Sequence, residues 1–138
     1  MAATRFLDTN VLLYAISRAE DEVEKAERAR SLLTFDDWVL SVQVLQEFYV
    51  QATRYTKPDR IQHDQAVTLI EAWLRFRVQE ITIPILQAAL NTSRQNQISY
   101  WDAAIIEAAR AAGCFEVYTE DLASGRDYNG VRVVNPFL

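Results

Sequence analysis

Phe6-Leu7-Asp8-Thr9-Asn10-Val11-Leu12 decides how this chain is read. Residues 4–7 read as a short buried strand, and residues 11–16 as a helical turn or two with Thr9 or Asn10 as N-cap. A carboxylate therefore stands where a buried strand gives way to a helix. A charge beside a core-forming run is costly unless something pairs with it. The same situation recurs three times: Glu47 in Leu45-Gln46-Glu47-Phe48, Asp102 in Tyr100-Trp101-Asp102-Ala103-Ala104, and Asp121 in Tyr118-Thr119-Glu120-Asp121-Leu122. These acids come from both ends and the middle of the chain, and no matching basic residues accompany them.

Outward from this stretch, helices alternate with short strands. Residues 20–33 form a helix whose acidic first turn suits the positive end of the macrodipole. Asp21 with Lys25, and Glu24 with Arg28, stand at supportive i,i+4 spacing. Residues 38–41 are a second short strand, and Ser41 caps a helix over 42–55 that ends as Pro58 approaches. Residues 63–76 are an amphipathic helix with Ala66, Val67, Ile70, Trp73 and Leu74 on one stripe. Residues 78–83 read as a strand, and Pro84 opens a helix to residue 96. Ser99 caps a helix over 100–112, which Gly113 ends. Residues 116–119 and 131–134 are the last strands. The alternation predicts one domain over 1–138 with a parallel sheet covered on both faces. Ligands of such sheets bind beyond the carboxyl ends of the strands. Asp8 and Asp121 both fall at strand ends.

Each acid has a plainer reading. Asp-Thr-Asn is good turn and cap chemistry for Asp8. Asp102 completes Ser99-x-x-Asp102, a capping box with Asp for the usual Glu. Yet the helix it opens, Ala103-Ala104-Ile105-Ile106-Glu107-Ala108-Ala109-Arg110, carries two charges, so most of its surface is expected to be buried and Asp102 to face inward. Gln43, Glu47 and Gln51 form an i,i+4 ladder of the kind that usually marks a solvated face. Asp121 fits an exposed turn, and Glu120 beside it competes for the same role. Thr119 shares a strand face with Val117, from which it can orient a water or a carboxylate.

The bulk properties exclude several classes. The chain has 138 residues, half of them hydrophobic and about a quarter charged, as in an ordinary globular protein. No apolar run approaches a membrane span, and the N-terminal apolar stretch is too short for a signal peptide. A single cysteine, Cys114, rules out an internal disulfide framework, and a cytoplasmic protein is the simplest reading. The net charge of −5 argues weakly against a non-specific nucleic-acid binder. The four acids account for most of that excess, and 12 of the 14 basic residues are arginine, which suits phosphate recognition. His63 is the sole histidine and reads as a surface residue, which removes a histidine-based zinc site and a Ser-His-Asp triad. No Gly-rich phosphate loop occurs.

Oxygen ligands without histidine or thiolate favour Mg²⁺ or Mn²⁺. A water on such an ion is a competent nucleophile near neutral pH, and a second ion can stabilise the leaving oxygen of a phosphodiester. No protein nucleophile is then needed.

At these residues the sequence resembles the PIN-domain ribonucleases, and within them the VapC toxins of type II toxin–antitoxin pairs. The resemblance rests on hydrophobic-Asp8-Thr9-Asn10-Val11-Leu12, Ser41 followed by Glu47, Tyr100-Trp101-Asp102-Ala103-Ala104-Ile105, and Thr119-Glu120-Asp121-Leu122, in that order over almost the whole chain. It implies a three-layer α/β/α sandwich with a central, mainly parallel sheet, and Mg²⁺- or Mn²⁺-dependent endoribonuclease activity. It implies Asp8, Glu47 and Asp102 as the metal-binding acids with Asp121, rather than Glu120, assisting, and Asn10 and Thr119 as supporting polar residues. The expected partners are an RNA substrate, a small antitoxin and a second copy of the chain. A housekeeping RNA-processing nuclease and a non-catalytic interaction domain share this fold. A phosphatase of the haloacid dehalogenase type also places Asp after its first strand, but expects a second Asp where this chain has Asn10.

Overall fold

A computed structural model describes residues 5–138. The first strand, β1 (Arg5–Leu7), leads through Asp8 into α1 (Thr9–Ala15); the expected strand residue Thr4 lies outside the described residues. A single 3₁₀ turn (Glu20–Glu22) precedes α2 (Val23–Leu32). Then follow β2 (Trp38–Ser41), α3 (Val42–Ala52), α4 (His63–Trp73) and β3 (Arg77–Gln79). The chain closes with α5 (Ile83–Asn96), α6 (Tyr100–Ala111), β4 (Glu116–Tyr118), β5 (Asp127–Tyr128) and β6 (Val131–Val134).

The six strands form one sheet in the order β3-β2-β1-β4-β6-β5, parallel except for the β5–β6 pair. Parallel strands buried on both faces read as continuous apolar runs. Phe6, Leu7, Trp38, Val39, Leu40 and Val117 accordingly have no solvent exposure. Helix α6 packs across β2, β3, β4 and β6 with α5 against it, while α1 packs on α2 and α3, and α3 on α4. The architecture is the expected three-layer α/β/α sandwich. The alanines of α6 permit its close approach to the sheet and to α5: Ala103, Ala104, Ala108 and Ala109 are all buried, as are Ile105 and Ile106.

Four local expectations are corrected. The N-cap of α1 is Asp8 itself, whose carboxylate accepts the Thr9 backbone N–H, rather than Thr9 or Asn10. The third strand lies at Arg77–Gln79, because Thr82 caps the next helix through the Ile85 N–H and draws Ile83 into its first turn. Helix α3 stops at Ala52 instead of residue 55. Strand β5 was not expected: Asn129 and Gly130 both adopt positive φ, the two-residue turn that Asn-Gly favours in hairpins.

Arg110 joins α6 to this hairpin. It donates to the carbonyls of Tyr128 at 2.7 Å and Asn129 at 2.8 Å, and pairs with Glu107 at 3.0 Å. Glu107 is buried, and its other partner is the Thr92 hydroxyl on α5. Arg110→Ala leaves a buried carboxylate without its cation and is expected to destabilise the fold by about 2 kcal/mol, read as a shift of the urea midpoint.

Candidate active site

The carboxyl ends of β1, β2 and β4 lie side by side, and each delivers a polar residue to the same edge. Asp8 follows β1, and its N–H continues the ladder to the Tyr118 carbonyl at 3.1 Å. Thr119 follows β4 and donates its N–H to Val134 at 3.0 Å. Ser41 ends β2 and caps α3 through the Val44 N–H, which sets the helix that carries Glu47. Asp102 arrives in the first turn of α6, after the Ser99 cap.

Thr119 is the node of the edge. Its hydroxyl donates to Asp8 Oδ2 at 2.9 Å and accepts from Asn10 Nδ2 at 2.9 Å and the Asp121 N–H at 3.0 Å. A hydroxyl has one hydrogen and two lone pairs, so its capacity is filled. Both Asn10 donors are used likewise: its amide donates to Thr119 and to Asp121 Oδ2 at 3.1 Å, and its carbonyl accepts the Glu120 N–H. An aspartate at position 10 could donate to neither.

Glu120 and Asp121 have separate surroundings. Glu120 accepts from the Tyr14 hydroxyl and pairs with Lys25 at 3.0 Å. Asp121 faces Asn10. Glu47 accepts from the Thr9 hydroxyl at 3.1 Å and from Gln43 Nε2 at 3.0 Å. Gln43 is buried and also reaches the Trp101 carbonyl, so the Gln43–Glu47 ladder turns toward α6 and not to open solvent as expected. Thr9 and Gln43 are the two side chains that the sequence reading missed. Their signal was proximity to an acid, four residues before Glu47 and one after Asp8.

The electrostatics concentrate on Asp8. It is buried, and loss of hydration pushes its carboxyl up from 3.8 to about 7, against the hydrogen bonds from Thr9 and Thr119; the charges of Asp121 and Glu47 push the same way. Burial likewise raises Asp102, with Ser99 opposing and Asp121 and Glu47 adding. The four acids thus act on one another. Among the described residues, none of the four takes part in an ion pair. As they stand, no three of the described acids enclose a common point; Glu47 and Asp121 are turned onto the neutral donors Thr9, Gln43 and Asn10. A donor set made only of oxygens, short of positive charge, fits a hard divalent cation. Glu47 accepts one hydrogen bond on each oxygen and Asp121 accepts one on Oδ2, so each keeps lone pairs free.

The remaining sequence expectations concern packing. Phe48, Trp73 and Phe76 are core residues, Cys114 is buried, and His63 is exposed, with Nδ1 against the Tyr49 hydroxyl. Among the described residues, no helix is long and apolar enough to cross a membrane.

Comparison with known proteins follows the same lines. A family model described as PIN domain matches residues 5–123. No curated protein matches the sequence. Among solved structures, VapC20 of Mycobacterium tuberculosis, described as a sarcin-ricin loop cleaving toxin, is similar with a TM-score of 0.68 and 21% identity, over 86% of this chain and 90% of that one. A toxin–antitoxin complex from Klebsiella pneumoniae gives 0.70 and 20%, over 96% and 98%. FitAB bound to a DNA fragment gives 0.71 and 19%, over 98% and 96%.

The raised Asp8 carboxyl has a consequence for stability. Its folded-state value lies above the unfolded one, so folding takes up a proton. The stabilisation is complete below about pH 4 and is lost as pH rises toward 7. In chelator, the urea stability of wild type relative to Asp8→Asn is expected to fall by up to ~1.4 kcal/mol per pH unit across that range, then level off. Equal slopes for the two proteins would contradict it.

Proposed function

The chain belongs to the PIN-domain family, and from that premise we propose that it is a metal-dependent endoribonuclease acting as the toxin of a toxin–antitoxin pair. The observation that carries the reading is that Asp8 and Asp102 are each raised by the charges of Glu47 and Asp121 at the carboxyl edge of the sheet, with none of the four in an ion pair among the described residues. Asp8, Glu47 and Asp102 would hold Mg²⁺ or Mn²⁺, with Asp121 assisting. The ion would supply an activated water and charge neutralisation at the phosphodiester. Thr119 and Asn10 fix the carboxylates of Asp8 and Asp121, the outer-shell role that keeps ligands in place. Glu120, engaged by Lys25 and Tyr14, stays outside the ligand set.

The toxin assignment is supported by the similar structures, which are toxins and toxin–antitoxin complexes. Its partner is a small antitoxin, and its setting the cytoplasm. A homodimer is supported by an aliphatic stripe on α5, where Ile83, Leu86 and Leu90 at i, i+3 and i+7 are 65%, 37% and 57% exposed. Ile83→Glu is expected to give a monomer in sedimentation at a concentration where wild type is dimeric.

Total RNA incubated with the purified protein is expected to be cut in Mg²⁺ or Mn²⁺, and to stay intact in EDTA or with Asp8→Asn. Cleavage that persists in both controls would falsify the metal mechanism. Thr119→Val is expected to lose about 10–100-fold in activity, the range for a removed outer-shell contact, and Thr119→Ser to recover most of it. Expression without the antitoxin should arrest growth; a nuclease that leaves growth unaffected is a processing enzyme.

A further inference from the structure

Trp101 is 64% exposed, whereas Trp38 and Trp73 are 0% and 5% exposed. It sits in the first turn of α6, whose later residues are buried, so the core does not require it. Its indole is propped edge to face by Tyr100, with ring centroids 5.1 Å apart. It forms one wall of a groove of about 600 Å³ whose other side is lined by Gln46, Glu47, Gln51 and Arg54. That volume lies within the ~300–1,000 Å³ usual for small-ligand sites.

The groove and the acids are continuous. Glu47 belongs to both, and Gln43 ties them together by donating to Glu47 at 3.0 Å and to the Trp101 carbonyl at 3.3 Å. Away from Trp101, Gln51 and Arg54 also line a second concavity with Thr56 and Lys57. Lys57, whose charge is shared with Asp59, lines a third with Asn10, Tyr14 and Glu120. Two cations thus stand along a concave path beside the acids, in a chain of net charge −5.

We propose that the Trp101 groove holds one unpaired nucleotide of an RNA strand next to the bond being cut. The base stacks on the indole, the amides of Gln46 and Gln51 meet its edge, and Arg54 takes a flanking phosphate. This rests on the ribonuclease reading above and adds where the strand is gripped. Unpaired bases splayed onto aromatic rings are the usual target of single-strand recognition. Amides both donate and accept, and so suit base edges, while a guanidinium suits phosphate. Val50, also in the lining, gives the base a second apolar contact, while an occupant apolar throughout would bury two amides and a guanidinium without matching groups, which is costly.

Trp101 is the exposed tryptophan, so its emission reports the groove directly. A short single-stranded oligoribonucleotide of mixed sequence is titrated into the protein in Mg²⁺ on ice, with strand integrity checked on a gel. The strand is expected to quench Trp101, and the matching RNA duplex is not. Trp101→Ala is expected to weaken binding about tenfold, within the range for a lost base stack, and to raise KM more than it lowers kcat. Trp101→Phe keeps a ring and should recover most of both, and both variants should melt as wild type does. RNA cutting without quenching, equal quenching by duplex, or unchanged binding and KM in Trp101→Ala would overturn the groove and leave the nuclease standing. Burial of Trp101 that depends on protein concentration without RNA would also overturn it, in favour of a contact between copies. Quenching and Trp101-dependent binding without any cleavage would instead retain the groove and remove the nuclease reading.

Discussion

Asp8 is buried at the point where β1 passes the chain to α1, and its charge meets neutral donors but no cation among the described residues. Much of the local structure follows from satisfying that carboxylate. The Thr9 N–H serves one oxygen and so makes Asp8 the cap of α1. The Thr119 hydroxyl serves the other, which requires β4 to end beside β1 in register, with Leu7 opposite Tyr118. Once the Thr119 hydrogen is committed to Asp8, its lone pairs must find donors, and Asn10 and the Asp121 N–H supply them. A fully satisfied polar network holds one geometry, whereas a partly satisfied one is costly. What the network leaves unbalanced is net charge: among the described residues no cation pairs with Asp8, and burial raises its carboxyl toward the protonated form.

Three arginines are spent at the opposite end of the sheet. Arg5 opens β1, pairs with Asp37 and lies over the Trp38 ring at 4.0 Å. Arg77 opens β3 and donates to the Ala112 carbonyl, and Arg132 pairs with Glu116 at the start of β4. These contacts lie toward the amino ends of the parallel strands, and the four acids toward the carboxyl ends. The Asp37 carboxyl is held below its ordinary range by Arg5, while Asp8, at the other end of the same three-residue strand, is pushed up. The sheet therefore separates charge along its strands. Lys25, which reaches the same edge from α2, is held by Glu120, the neighbour of Asp121.

What could be read from the sequence follows from how local each signal is. The buried strands and alanine-rich α6 were legible because continuous apolar runs and small residues state their burial directly. Asp8 and Asp102 were legible because a charge next to such runs demands a partner. The Asn129-Gly130 hairpin was legible in principle, since positive φ at both residues is what that dipeptide permits, but two-residue β5 has no apolar pattern of its own. Glu47 was legible through the resemblance and not through its local pattern. Its ladder with Gln43 looks solvated in one dimension, and it becomes a cleft wall because α6 brings Trp101 to Gln43 from 58 residues away. The separation of Glu120 from Asp121 was equally out of reach, because it depends on Lys25 and Tyr14 arriving from α2 and α1.

On the proposed ribonuclease reading, the acids and the groove divide the work on an RNA strand. A cluster of carboxylates with a bound cation meets phosphate oxygens, which are alike at every bond of an RNA chain. Contacts to the backbone position a strand without reading it, and selection comes from groups that touch bases or shape. In this chain the candidates are Trp101, Gln46, Gln51 and Arg54, which line a wall contiguous with Glu47 but lie outside the hydrogen-bonded network that Asp8 imposes. Substitutions there leave the buried carboxylate and its partners untouched. On the proposed reading, the choice of bond can vary on the surface of α3 and at the start of α6, while changes at Asp8, Asn10 and Thr119 must keep the balance of donors and acceptors at the edge of the sheet.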